Sequence, residues 1–423
     1  MSRRIAALRA FEILDSRGRP TVEAEVVLDD ATTARASVPS GASTGRNEAV
    51  ELRDGDPARY GGRGVLAAVG HVGGEIADAL QGLDATDQAA VDAALVALDG
   101  TADRSRLGAN AILAASVAVA RAGARATGQP LWRHLRGADD GPLPRPMVNA
   151  LSGGLHAGRS VDLQDYLAIP LSATTFPQAI ADVAAVLAAL ADELAERGRT
   201  LLRADEGGFA AFGANEDGLA VLTRAIERAG LEPGVDVAIG LDVAASHFAG
   251  SDGYRLAADD AVITADAWAD RLADWIARFP IVSVEDPFGE DDWDPWPGFT
   301  AAVGDRVQVI GDDLLCTQLS RLYRAIAVGA GNAVLIKANQ VGTLTEALAV
   351  ARRAEAAGWR RVVSARSGET EDDWLADLAI AAGPAQLKVG SLTQSERLAK
   401  YNRLLRESAT RADCGALAPW GAA

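Results

Sequence analysis

The chain is short of lysine. Only three of its 41 basic residues are lysine (Lys337, Lys388 and Lys400), and the rest are arginine. A lysine kept against that bias marks a place that needs a compact ammonium or a pKa that can be lowered, which arginine does not supply. Cysteine is also scarce: Cys316 and Cys414 make no disulfide framework, which points to a reducing compartment. None of the four histidines lies at metal-ligand spacing from another, which excludes a zinc site of the usual kind. The most apolar helical stretch, Ala109 to Ala120, is followed at once by Arg121 and is too short to span a bilayer. Met1 to Glu12 holds no apolar core of signal-peptide length, so a cytoplasmic chain is expected. Positive charge is in deficit, 41 bases against 58 acids and a net −17, which argues against nucleic acid or an anionic membrane as partner.

What is present suits a globular protein. The 423 residues are 49% hydrophobic and 23% charged, enough for two domains or a large barrel with an added domain. The first third reads as α+β. Thr21 to Leu28 alternates as a half-buried strand and Ala34 to Val38 pairs with it, while Ala67 to Leu80, Asp87 to Leu98 and Ala109 to Ala126 carry helical spacing. A Gly/Pro/Asp cluster at Gly137 to Pro144 reads as a linker, giving domains at 1–138 and 139–423.

Beyond the linker, short apolar runs recur, each ending in a polar residue. Their tips are Asp242, Glu285, Asp312, Lys337, Ser364 and Lys388, in steps of 43, 27, 25, 27 and 24 residues. A strand, a loop and a crossover helix need about that length, so the pattern predicts consecutive βα units and parallel strands. Charged residues at the carboxyl ends of such strands are where a (β/α) barrel builds its site. Three carboxylates converging there repel one another unless a cation lies among them, and all-oxygen ligation favours Mg²⁺ or Mn²⁺. Two lysines facing a divalent ion suit removal of a proton α to a carboxylate, one as base and one holding the substrate's carboxylate. Glu206 precedes a Gly-Gly turn in LRADEGGF, His156 sits in GGLHA, and PSGASTG (39–45) is a small-residue loop rich in backbone donors.

These segments together resemble the enolase family over nearly the whole chain. DSRGRPT (15–21), VPSGASTG (38–45), ELRDGD (51–56), GANAIL (108–113), DEGG (205–208), LDVAAS (241–246), SVED (283–286), GDDL (311–314), KANQVG (337–342), RSGETED (366–372) and SERLAKYN (395–402) match in order. The resemblance implies an N-terminal α+β capping domain on a C-terminal (β/α)8 barrel, and Mg²⁺-dependent loss of water from 2-phosphoglycerate. It implies that Asp242, Glu285 and Asp312 hold the metal, that Lys337 is the base and that Glu206 protonates the leaving hydroxyl. Lys388 would hold the substrate carboxylate and Arg366 with Ser367 the phosphate. Gly41, Ala42 and Ser43 would sit on the closing loop and His156 beside the phosphate. A homodimer is implied, with Glu23 and Arg406 at its interface.

Departures from the family pattern cluster on one side. Ala365 replaces the histidine of Ser-His-Arg-Ser, Asp165 replaces the glutamate of Gln-Glu-Phe, Ser152 stands before Gly153-Gly154, and the segment after DEGG is shortened to Ala210-Ala211-Phe212. One methylene less at 165 retracts the carboxylate by roughly an ångström, an error that can cost about 100-fold in rate. Metal and base positions are kept. Three functions fit: a specialised branch of the family that builds a carboxyphosphono-enolpyruvate from a CMP-activated phosphonoformate, an ordinary glycolytic enolase, and a non-catalytic binding protein on the same fold.

Overall fold

The computed structural model describes residues 3–41, 45–137 and 141–421. The chain divides into two compact units, one of Met1–Gly141, Ile336–Arg352 and Ala365–Gly383, the other of Pro142–Leu335, Arg353–Ser364 and Pro384–Ala423.

The first unit is built on an antiparallel sheet of β1 (Ile5–Leu14), β2 (Pro20–Leu28) and β3 (Thr33–Ser37), in that order. Alternation along β2 buries Val22, Ala24, Val26 and Leu28 on one face. The helix Ala109–Ala126 packs on β2 and β3. Its alanines bring the helix backbone close to the sheet, and nearly every residue is buried, which explains why the segment is apolar all round. The helix expected over Ala67 to Leu80 is interrupted: Leu66–His71 and Ala77–Leu80 flank a wide turn at Val72–Ile76, where Gly74 leaves helical geometry.

The second unit is a closed barrel of eight strands. They are β4 (Arg145–Ser152), β5 (Asp165–Pro170), β7 (Val237–Asp242), β11 (Ile281–Glu285), β12 (Gln308–Gly311), β13 (Ala333–Ile336), β14 (Arg360–Ser364) and β15 (Gln386–Gly390), with β15 returning to β4. The two-residue β6 (Phe209–Ala210) pairs along β4. A small antiparallel sheet, β8 (Ala249–Gly250), β9 (Gly253–Leu256) and β10 (Ala261–Ile263), projects after β7. Helices Ala265–Arg278, Pro295–Val303 and Leu319–Val328 supply crossovers between the later strands.

One strand departs from the expected repeat. β5 runs antiparallel to both β4 and β7. Only eight residues lie between Ser152 and Asp165 in addition to the 3-10 turn at Gly154–Ala157, too few for a crossover helix, so β5 returns beside β4 directly. Its first residue therefore lies level with the last residues of its neighbours, Asp165 opposite Ser152 and Asp242. Met147, Leu167, Ile169, Ile310, Ala333, Leu335 and Val362 form an apolar core cluster. Gln308 and Gln386 bond reciprocally at 2.8 Å, and Gln308 donates to Ser283 at 2.9 Å, so this buried polar layer satisfies itself. Among the described residues no helix is long and apolar enough to cross a membrane.

Candidate active site

The reversed strand brings three sequence-predicted residues together in the barrel unit. Asp165 is fully buried and accepts from Asn149 Nδ2 at 2.6 Å, Ser152 Oγ at 2.7 Å and His156 Nδ1 at 2.9 Å. His156 Nε2 lies 3.8 Å from Glu206 Oε1. The loop between β4 and β5 carries His156, and Gly153 permits its path: a Cβ there would meet Val161 Cγ2 at 2.3 Å. Glu206 is held by its own backbone, whose carbonyl accepts from Ser391 N at 2.8 Å beyond β15. Burial opposes charging of the imidazole, but the carboxylates of Asp165 and Glu206 outweigh it and hold His156 at about 9. Burial pushes Asp165 upward against the pull of that imidazolium.

A second group joins β7, β11 and β15. Lys388 Nζ donates to Asp242 Oδ2 at 2.6 Å and to Glu285 Oε1 and Oε2 at 2.8 and 2.7 Å. Register explains the meeting, because Asp242 and Glu285 are paired residues on adjacent strands. Burial disfavours the Lys388 charge, yet Asp242 and Glu285 hold its pKa well above the ordinary value, so it is an ammonium and not a base. Gln164 also donates to Asp242 Oδ2, at 3.3 Å.

A third group lies beyond β12. Ligand atoms of Asp286, Asp312 and Asp313 come within 4.8 Å of one another. Asp286 accepts from the backbone N–H of Asp312 at 2.9 Å and of Asp313 at 2.7 Å, which orients the loop after β12. Burial, then the charges of Asp313 and Asp312, push the Asp286 carboxyl well upward. Ala244 and Asp286, each just past a strand that ends in a carboxylate, both have left-handed backbones (φ 46° and 42°). Such strained positions concentrate at functional sites.

The first unit holds the residues expected at the phosphate. Arg366 Nη1 donates to Glu48 Oε2 at 2.7 Å and to Asn339 Oδ1 at 3.1 Å. Arg17 donates to Ser367 Oγ at 3.2 Å, to the Ser40 carbonyl at 2.9 Å and to the Gly41 carbonyl at 3.2 Å. Lys337 directly follows β13, and its carbonyl accepts from Gln340 N at 2.9 Å. Ala365, in place of a histidine, is buried. Ala42 and Ser43 lie outside the described residues.

Residues 141–418 match the family model of the enolase C-terminal TIM barrel domain, and residues 5–135 that of the enolase N-terminal domain. The chain belongs to the enolase family. It is therefore an enolase-type enzyme by fold, and the family generally uses Mg²⁺.

The donors of this enolase-family chain fit a hard divalent ion. Asp242 and Glu285 are buried carboxylates that share one ammonium, so negative charge exceeds positive there, and every candidate ligand is oxygen. Of the expected trio, Asp242 and Glu285 meet at Lys388, and Asp312 meets Asp286 and Asp313. Asp165, His156 and Glu206 also have ligand geometry. A histidine protonated to about 9 and bonded through Nδ1 suits proton holding better than ligation, which needs a neutral ring. Sequence reasoning missed Arg17, Glu48, Asn149 and Asp286 as partners. Arg17 and Asp286 lie inside quoted motifs, and that was the available signal.

Proposed function

We propose that this chain is a Mg²⁺-dependent enzyme that forms an enolpyruvate product from 2-phosphoglycerate, and specifically a carboxyphosphonoenolpyruvate synthase with a CMP-activated phosphonoformate as donor. The observation that carries the specific form is the rebuilt leaving-group side. The Asp165 carboxylate is committed to Asn149, Ser152 and His156, and a buried alanine stands at 365.

Asp242, Glu285 and Asp312 would hold the metal, which supplies charge stabilisation for the enolate formed at the substrate carboxylate. Lys337 takes the α-proton. Glu206 gives a proton to the leaving hydroxyl, and the His156 imidazolium beside it stabilises negative charge developing there. Lys388, fixed as an ammonium, orients the substrate carboxylate. Arg366 and Ser367 bind the phosphate, with Glu48 and Asn339 setting the guanidinium plane. Gly41, Ala42 and Ser43 belong to the closing loop. The enzyme works as a cytoplasmic homodimer with Glu23 and Arg406 at its interface.

The deciding experiment is ³¹P NMR of the purified protein with Mg²⁺ and 2-phosphoglycerate, with and without CMP-phosphonoformate. A phosphonate ester signal that appears only with the donor, with CMP and inorganic phosphate released in equal amounts as the carboxyphosphono group replaces the 2-phosphate on the enol oxygen, supports the synthase. Fast phosphoenolpyruvate formation without the donor assigns an ordinary glycolytic enolase. Metal and base positions that match the family pattern favour catalysis over a binding role, since unused buried charges are costly to keep.

A further inference from the structure

The small sheet after β7 and the loop that carries His156 enclose a cavity of about 360 Å³ that none of the roles above uses. That volume lies in the range of small-molecule sites. Its floor follows from strand alternation. Tyr254 and Leu256 of β9 point inward and are buried, so Arg255 between them points out, opposite Val262 of β10. Tyr254 stacks on Trp268 and meets Phe248 edge-on, which gives the floor a rigid underside. The opposite wall is the loop Gly154 to Asp162, with Arg159.

The wall is pinned before any ligand arrives. Asp162 accepts from the backbone N–H of Ala257 at 2.9 Å and of Ala258 at 3.0 Å, and from Asn215 Nδ2 at 2.8 Å. Asn215 Oδ1 accepts in return from Asp162 N at 2.9 Å. Two carboxylates line the cavity: Asp162 is satisfied by these donors, and Asp252 accepts from Ser251 Oγ at 3.1 Å. Among the described residues, neither the Arg159 nor the Arg255 guanidinium has a carboxylate or carbonyl partner. Both are exposed side chains that line the one cavity, so their donors are open to a ligand there. Two guanidinium forks match a tetrahedral dianion better than a single carboxylate.

We infer that this cavity is a second anion site, which binds the phosphate of a small phosphorylated molecule through Arg159 and Arg255. The inference concerns binding and holds whichever reaction the barrel performs. Its wall is the segment that carries His156, so an occupant would also brace that loop.

The test is calorimetric titration of the metal-free full chain with inorganic pyrophosphate and, separately, with CMP. Three proteins accompany the parent: an Arg159→Ala/Arg255→Ala double variant, Val262→Trp to fill the cavity with both arginines kept, and Arg366→Ala to remove the family's phosphate ligand. Weakening of about tenfold or more in the double variant and in Val262→Trp, with binding retained in Arg366→Ala, is expected. Both substitutions in the double variant remove exposed, unpaired side chains, so folding is unaffected; Val262→Trp gives an independent reading. Loss only in Arg366→Ala overturns the inference, as does no binding by the parent into the millimolar range. Turnover is not read, so this result and the ³¹P NMR result fail or succeed separately.

Discussion

At Asp165 the shorter carboxylate serves a histidine. Three donors surround it, and through His156 Nδ1 it fixes which ring nitrogen faces Glu206. His156 titrates in the folded chain at about 9, above the ordinary value of 6.5. Because the folded pKa is the higher one, the stabilisation is complete below about 6.5 and is lost as pH rises to about 9. The difference corresponds to about 3 kcal/mol in the metal-free protein. Asp165→Asn removes the main source of the shift. We expect the His156 resonance, followed by NMR in EDTA, to titrate well below the parent's. The parent's loss of urea stability between neutral pH and pH 9 should shrink with it. An unchanged His156 titration would mean that Glu206 alone sustains the proton.

At the scale of elements, the barrel was readable where strands are apolar runs ending in charge. β7 and β11 end in Asp242 and Glu285, and β12 and β13 are followed at once by Asp312 and Lys337; these strands are buried on both faces, as parallel strands are. β4 and β5 break the pattern, since Asn149, Ser152 and Asp165 interrupt their apolar residues, and these polar groups are buried to serve one another. Sequence spacing also assumes one direction, and β5 runs the other way, so its working residue is its first. Lys388 was placed at a strand tip and lies inside β15, yet it still reaches Asp242 and Glu285 because a long side chain spans the difference. Glu48, a partner of Arg366, and Arg17, a partner of Ser367, lie more than 300 residues away in sequence, a separation no local pattern encodes. The loop after Glu206 is as tightly specified as any strand. A Cβ on Gly208 would stand 2.4 Å from Asn149 Oδ1 and 2.9 Å from Ser152 Oγ, the groups that hold Asp165. Gly208→Ala should cost about 1–3 kcal/mol by overpacking and disorder the Asp165 donors. Urea denaturation measures the first effect. The second appears as a lowered His156 pKa, which a purely local clash would leave alone.

For the whole molecule, the acidic balance has its sharpest expression in the barrel. A chain of net −17 buries Asp242 and Glu285 on adjacent strands and lends them one of its three lysines. Removing one partner of a buried ionic group leaves uncompensated charge and typically costs about 3–5 kcal/mol. Lys388→Met should therefore lower the apparent Tm in EDTA. A divalent ion restores cationic charge at the same carboxylates, and a ligand at 100 times its Kd stabilises by about 2.7 kcal/mol. Mg²⁺ should raise the Tm of the parent, and raise that of Lys388→Met by more, because the ammonium no longer competes for Asp242 and Glu285. Asp242→Asn should show the opposite pattern, a small loss in EDTA and little gain from Mg²⁺. Differential scanning fluorimetry across a Mg²⁺ series reads all three proteins. Equal Mg²⁺ gains in the parent and in Asp242→Asn would place the ion elsewhere, with the Asp286, Asp312 and Asp313 group the next to substitute.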